Sequence, residues 1–203
     1  MNSADIINQD MIGDDSAKLS DAELVKLTLS NQSNFVFLVD RYKGKLTSYV
    51  KRLTNANNED AEDILQEVFI KVYLNLNDFN KDLKFSSWIY RITHNQVISG
   101  HRKIKARPEG YAVNLDDQLA KNLTADIDIK GAVDNKILRE TINIVLDNLE
   151  PKYRDVIVLK FLEEKSYQEI SDILKKPLGT VASLMNKAKQ EFKLEFERKN
   201  FKI

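Results

Sequence analysis

With 203 residues the chain has room for one large domain or two small ones, and two is the expectation. Its 31 basic and 31 acidic side chains cancel to a formal net charge of zero, so no whole-chain electrostatic argument for nucleic acid follows. Cysteine is absent, which excludes disulfides, thiolate metal sites and cysteine nucleophiles, and the two isolated histidines, His94 and His101, do not compose a zinc site.

Residues 1–20 are acidic and polar without hydrophobic periodicity, and are expected to form a flexible tail. They show neither the basic start nor the apolar core of a secretion signal. The longest apolar run, Phe35 to Val39, is far too short to span a bilayer, so a soluble, cytoplasmic protein without membrane insertion is expected. Few glycines and prolines and no long alternating pattern predict an all-α fold. From Gln32 to Leu53 the residues Phe35, Leu38, Val39, Tyr42, Leu46, Tyr49, Val50 and Leu53 recur at helical spacing. "TNANNEDAED" then breaks the pattern, offering Asn57 or Asn58 as an N-cap and acids where the next helix begins. That helix, about Glu59 to Asn75, has an apolar stripe through Ala61, Ile64, Leu65, Val68 and Val72, opposite Asp60, Asp63, Gln66, Glu67 and Lys71. A further helix begins near Ser87, with Ile89 and Ile92 as its packed side. The surrounding basic stretch, Arg91 to Arg107, contains no acid.

Between about Lys103 and Asn135 the order fades into an acidic linker with at most transient helix. A second helical domain follows. Leu138 to Leu149 has one apolar face, Pro151 suits the first turn of the next helix, and "SYQE" at Ser166 to Glu169 is a capping box. The helix it opens ends by Lys175 ahead of Pro177, and a last helix runs from about Gly179 through Val181, Met185, Ala188 and Phe192.

Three features have both a bland and a functional reading. The two helices flanking Pro177 outline a helix-turn-helix or simply two core helices joined by a tight loop. The face Asp60, Asp63, Gln66 and Glu67 is a docking surface or only solvated. Trp88, the single tryptophan, is a core residue or an aromatic on which bases stack. No phosphate-binding glycine loop, metal cluster or activated nucleophile is visible, so neither catalysis nor a cofactor is expected.

"EDAEDILQEVFIKVY" (Glu59 to Tyr73), "FSSWIYRITHNQVI" (Phe85 to Ile98) and the stretch from Leu149 to Gln190 occur in an order that resembles the extracytoplasmic-function (ECF) sigma factors of bacterial RNA polymerase. The resemblance implies a transcription initiation factor of two small helical domains: a region 2 domain over 21–102, a linker over 103–135 and a region 4 helix-turn-helix over 136–203. It implies that Asp60, Asp63, Gln66 and Glu67 dock on the core polymerase. Phe79, the loop from Asn80 through Ser86 and Ser87, and Asn95 would take a base flipped from the minus-10 strand, above a buried Trp88. Lys81, Lys84, Arg91, Arg102 and Lys103 would hold its phosphates. Thr180, Ala182, Ser183, Asn186, Lys187 and Gln190 fall where relatives meet the minus-35 duplex, and many relatives are restrained by an anti-sigma factor.

The chain departs from the pattern in two places. Ser99 and Gly100 stand where an aspartate is common, which is expected to weaken the helix past Ile98. Ala182 and Leu184 stand where arginines are frequent, which reduces phosphate contacts. A helix-turn-helix regulator without polymerase contact, and a sigma-like protein that binds polymerase without opening promoters, are the alternatives.

Overall fold

The computed structural model describes residues 16–104, 117–127 and 135–200, with side chains outside the description at 100–104, 117, 118, 135–137, 139, 199 and 200. Every regular element among the described residues is helical. The first is α1 (Asp21–Ser30), opened by a capping box in which Ser20 Oγ accepts the Glu23 amide and the Glu23 carboxylate accepts the Ser20 amide at 2.7 Å. α2 (Phe35–Thr54) ends on Asn55 in the left-handed conformation (φ 55°), which asparagine tolerates better than most residues. Asn57 then caps α3 (Asn58–Leu74) by accepting the Asp60 amide at 2.7 Å. The stripe Leu38, Tyr42, Leu46 and Tyr49 of α2 is buried together with Ile64, Leu65, Val68 and Val72 of α3 and with Phe85 and Ile89 of α4 (Phe85–Ile104).

Two expectations change here. α4 begins at Phe85 and continues through Ser99 and Gly100 to Ile104. A single glycine costs only about 1 kcal/mol against alanine, too little to break a helix whose earlier turns bury Ile89, Tyr90 and Val97. The acidic stretch between the domains contains α5 (Asp117–Asp126), with Ala120, Leu123 and Ile127 buried and Asp126 paired with Lys189. Three apolar side chains with a surface to cover suffice to fix a segment whose composition alone reads as linker. The tail expected at residues 1–20 falls largely outside the described residues, as do the remaining linker positions.

The second helical unit comprises α6 (Asn135–Asn148), α7 (Pro151–Ile157), α8 (Tyr167–Leu174) and α9 (Leu178–Asn200). α7 runs on into a widened π-turn at Val158–Leu162. Ser166 forms the expected capping box, and α8 stops at Lys175 in the left-handed conformation (φ 50°). The Pro177 carbonyl accepts the Thr180 and Val181 amides at 2.9 and 3.0 Å, starting α9.

The two units are joined by a buried polar contact. The π-turn delivers Glu163 to Arg52 at 2.6 Å, with only 5 % and 9 % of those side chains exposed. Arg52 Nη1 also donates to the Leu162 carbonyl at 2.9 Å, and the Tyr90 hydroxyl donates to the second Glu163 oxygen at 2.7 Å. Arg154 extends the seam by donating to the carbonyls of Leu146, Asp147 and Leu53. Because α4 packs against both units, Tyr90, Thr93, His94 and Val97 are buried, while Ile92, expected on the packed side, is only half covered.

Removing Arg52 leaves the Glu163 carboxylate buried without its cation, a loss of about 3–5 kcal/mol for a pair of this kind. Arg52→Ala is therefore expected to separate the two units. Small-angle scattering should give a radius of gyration clearly above the roughly 17 Å expected of a compact chain of this size, and an unchanged radius would show that the pair does not hold the seam.

Candidate functional site

On α3, Asp63, Gln66 and Glu67 are exposed and Asp60 is partly covered, at spacings that put all four on one face. Glu67 is held by Gln96 of α4, which is itself bonded to Lys71. The same helical face continues through Ile70 and Leu74, 59 % and 69 % exposed, so an acidic patch runs into an apolar one. Sequence reading assigned the charges on this face and missed the two aliphatics, although their spacing from Asp63 and Glu67 was the available signal.

At the start of α4, Trp88 is 7 % exposed. Its ring lies 5.2 Å from Phe79 and 5.7 Å from Phe85, in tilted contacts that make one aromatic floor beneath the preceding loop. Two cavities flank this floor. One, of about 530 Å³, is lined by Trp88, Ile92, Asn95 and Ser99 of α4 with Lys71, Asn75 and Asp78. The other, of about 500 Å³, lies against α1 and is lined by Phe79, Lys81, Lys84 and Ser86. The residues that the resemblance gathers into one base pocket are thus divided: Phe79 lines the α1 side and Asn95 the opposite side. Asn80 is exposed and accepts the Asp82 amide at 2.9 Å, which shapes the loop as a turn. Ser87, expected to face the strand, is 2 % exposed and its hydroxyl has no partner. Arg91 is half-buried, while the side chains of Arg102 and Lys103 lie outside the described residues.

In the second unit α8, a three-residue turn and α9 form a helix-turn-helix. Val181, Met185, Ala188, Phe192 and Phe196 are buried along one stripe of α9. Thr180, Ser183, Asn186, Lys187 and Gln190 are exposed, and Ala182 is half covered. The exposed set offers hydroxyl, amide and ammonium groups on a helix edge, which is the chemistry that phosphates and base edges require.

The seam between the units carries a second buried pair. His94 Nε2 lies 3.6 Å from Asp155, too far for a hydrogen bond, and His94 Nδ1 lies 3.1 Å from the Tyr49 hydroxyl. Burial holds both titrating groups towards neutrality: the imidazole is pushed down to about 4, with Lys176 adding to the effect, and the carboxyl is pushed up to about 7. Tyr49 is likewise buried and keeps its proton, so its hydroxyl is the donor to Nδ1.

Models of two protein families match the chain: sigma-70 region 2 over residues 38–107 and sigma-70 region 4 over residues 142–192. The ECF RNA polymerase sigma factor SigW of Bacillus subtilis is 34 % identical over 173 residues, covering 79 % of this chain and 87 % of that protein. The ECF sigma-E factor of Escherichia coli K12 is 31 % identical over 182 residues, covering 86 % and 93 %. The chain is an ECF sigma factor of the sigma-70 family.

Solved structures agree on the fold. CnrH, in complex with the cytosolic domain of CnrY, superposes with a TM-score of 0.63 over 88 % of this chain and 97 % of that chain at 22 % identity. The sigma factor RpoE of Bartonella quintana, in complex with the anti-sigma factor NepR, gives 0.60 over 81 % and 97 % at 18 %. In this sigma factor the region 2 match takes in α3 and α4 with the aromatic floor, and the region 4 match takes in α8 and most of α9. As a family member the protein is a transcription initiation factor that works with RNA polymerase. Among the described residues no cluster of metal-ligating side chains occurs, and no helix is long and apolar enough to cross a membrane.

The seam of the sigma factor has a defined pH signature. A histidine pushed below its usual 6.5 stabilises the docked form above that value and loses the contribution as pH falls towards 4. An aspartate pushed above its usual 3.8 does the reverse, losing its contribution as pH rises towards 7. The opposed slopes of His94 and Asp155 offset each other between these limits, while Glu163, also held above its usual range by burial, adds to the aspartate's side. Asp155→Asn removes the aspartate's slope, so denaturation curves should show the variant losing stability relative to the native protein as pH drops from 6.5 towards 4; a pH-independent difference would mean that Asp155 is not held protonated.

Proposed function

We propose that this sigma factor directs RNA polymerase to promoters by engaging the minus-10 strand with region 2 and the minus-35 duplex with region 4. The observation that carries the reading is the groove beside Trp88. Asn75, Asp78, Asn95 and Gln96 bring amide and carboxylate groups to a cavity with Lys71 at its edge and an aromatic wall. A base leaving its stack costs a few kcal/mol, which a shaped pocket with hydrogen bonds to the base edge recovers. Exposed Lys81 and Lys84 of the adjoining loop supply cations for the strand's phosphates. The exposed edge of α9 reads duplex, with lysine in place of the arginine fork that grips guanine most tightly.

Core polymerase is taken up by α3, where Asp60, Asp63, Gln66 and Glu67 attract a basic surface and Ile70 with Leu74 supply burial. The two promoter elements lie about 25 base pairs apart, roughly 85 Å of duplex. In the docked arrangement Lys84 of region 2 stands 3.2 Å from Glu169 of region 4, so reading both elements at once requires the seam to open. A protein of the anti-sigma class, as in the complex of the similarly folded RpoE, is the partner that would hold it shut.

Transcription reconstituted from core polymerase, this protein and genomic DNA fragments should yield specific start sites. Their absence under permissive salt would leave a polymerase-binding protein that opens no promoter. Asp63→Ala combined with Glu67→Ala should weaken binding to core polymerase by about tenfold or more, mainly through slower association, with the helical circular dichroism unchanged. Unchanged affinity would remove α3 as the docking face.

A further inference from the structure

Residues 1–15 carry four acids, Asp5, Asp10, Asp14 and Asp15, and also the large aliphatics Met1, Ile6, Ile7, Met11 and Ile12. Two blocks repeat the same order, Asp5-Ile6-Ile7 and Asp10-Met11-Ile12. A segment that lives wholly in water is poor in such side chains. Five in fifteen residues favour an apolar surface as their partner, and the polymerase and promoter readings give these side chains no role.

The structure holds such a surface at the point where this segment joins the fold. Ser16 is fixed there: its carbonyl accepts from Arg41 at 2.7 Å, and the same guanidinium pairs with Asp21 at 2.9 Å. Asp21 lines the 500 Å³ pocket between α1 and the loop after Phe79, within the roughly 300–1,000 Å³ range of sites that bury a ligand. Its walls include Val25, Leu29 and Phe79, and its lining includes the exposed lysines Lys26 and Lys81. Charge favours an acidic occupant. The Asp21 carboxylate is already taken by Arg41 and the Tyr42 hydroxyl, whereas Lys26 and Lys81 have no acidic partner among the described residues. Reach is sufficient, since Ile12 lies at most about 14 Å of extended chain from Ser16 and Ile6 about 35 Å.

We propose that residues 1–15 dock in this pocket, setting aliphatics of the two blocks against Val25, Leu29 and Phe79 and acids beside Lys26 and Lys81. The tether makes weak contacts sufficient, because a linked segment acts at an effective concentration on the order of millimolar. Docked there, the segment covers Phe79 and Lys81 of the loop that faces the minus-10 strand, and the sigma factor carries its own competitor for DNA. This competition rests on the proposed minus-10 reading; the docking does not.

The natural absence of cysteine gives a clean test of the docking. In the full chain, Ile7→Cys with Leu29→Cys should form a disulfide under mild oxidation about tenfold faster than Ile7→Cys with Val36→Cys, a control exposed on α2 away from the pocket. Adding Lys26→Glu and Lys81→Glu to the first pair should bring its rate down to the control. Equal rates for the two pairs would overturn the docking, and insensitivity to the lysine changes would overturn the charge pairing. Competition is read separately, from binding of a fluorescent single-stranded oligonucleotide. The full chain carrying Ile6→Ser, Ile7→Ser, Met11→Ser and Ile12→Ser keeps every charge and should bind the strand severalfold more tightly. Equal affinity would overturn the competition, and a strand bound by neither protein while the disulfide forms would count against the minus-10 reading and leave the docking standing.

Discussion

The pair between Arg52 and Glu163 fixes how the two helical units face each other. Taking both charges out of water costs several kcal/mol per ion, which only close geometry and further hydrogen bonds offset. Both are present: a 2.6 Å contact, the Leu162 carbonyl on the guanidinium and the Tyr90 hydroxyl on the carboxylate. Burial still holds Glu163 above the usual carboxylate range, with Arg52 and Tyr90 working against it. The Nε of Arg52 has no partner, so compensation is incomplete. Lys165 adds a cation 4.2 Å from the Tyr90 ring centre, closing the seam on a third side.

The turn that supplies Glu163 explains why the seam is specific. A regular helix through Val158–Leu162 would present its side chains about every 100°; the extra residue in the π-turn changes that phase, and Glu163 bonds back to Val158 at 3.0 Å. α4 packs against both units. Tyr90 and His94 turn towards region 4 across the seam, while Asn95 and Ser99 stay at the groove. One helix therefore holds the units together on one side and meets the proposed strand on the other.

What the sequence disclosed was local, and what it concealed was contact between distant segments. The stripes of α2, α3 and α9 are legible because each is a repeat of three and four residues. Ser166 with Glu169, and Pro177 after α8, mark ends through backbone chemistry that acts within one turn. The burial of Trp88 is legible, since a large ring beside Phe85 and Ile89 has apolar surface to cover. Ile92 packs against the core as expected, though only half covered, whereas the burial of Ser87 is not legible because it is set by neighbours outside its own turn. His94 offered no sign of its burial, because Tyr49 and Asp155 come to it from 45 and 61 positions away. The separation of Phe79 from Asn95 into two cavities is of the same kind: both belong to one motif, but the aromatic floor stands between them.

The docked arrangement leaves Asp63, Gln66 and Glu67 exposed, together with the outer edge of α9. A partner can shift an equilibrium only by its differential affinity for the two states. Contact with α3 alone is available whether the seam is open or closed, and the same holds for a duplex meeting α9 alone, so neither contact by itself opens the molecule. The difference arises when one partner engages both units at positions too far apart for the docked form to span. Under the proposed promoter reading, polymerase with promoter DNA is such a partner, because its two elements would lie on one rigid duplex. In that reading the seam would open through spacing rather than through the strength of either site, and strengthening one site alone would tighten binding without promoting the open form.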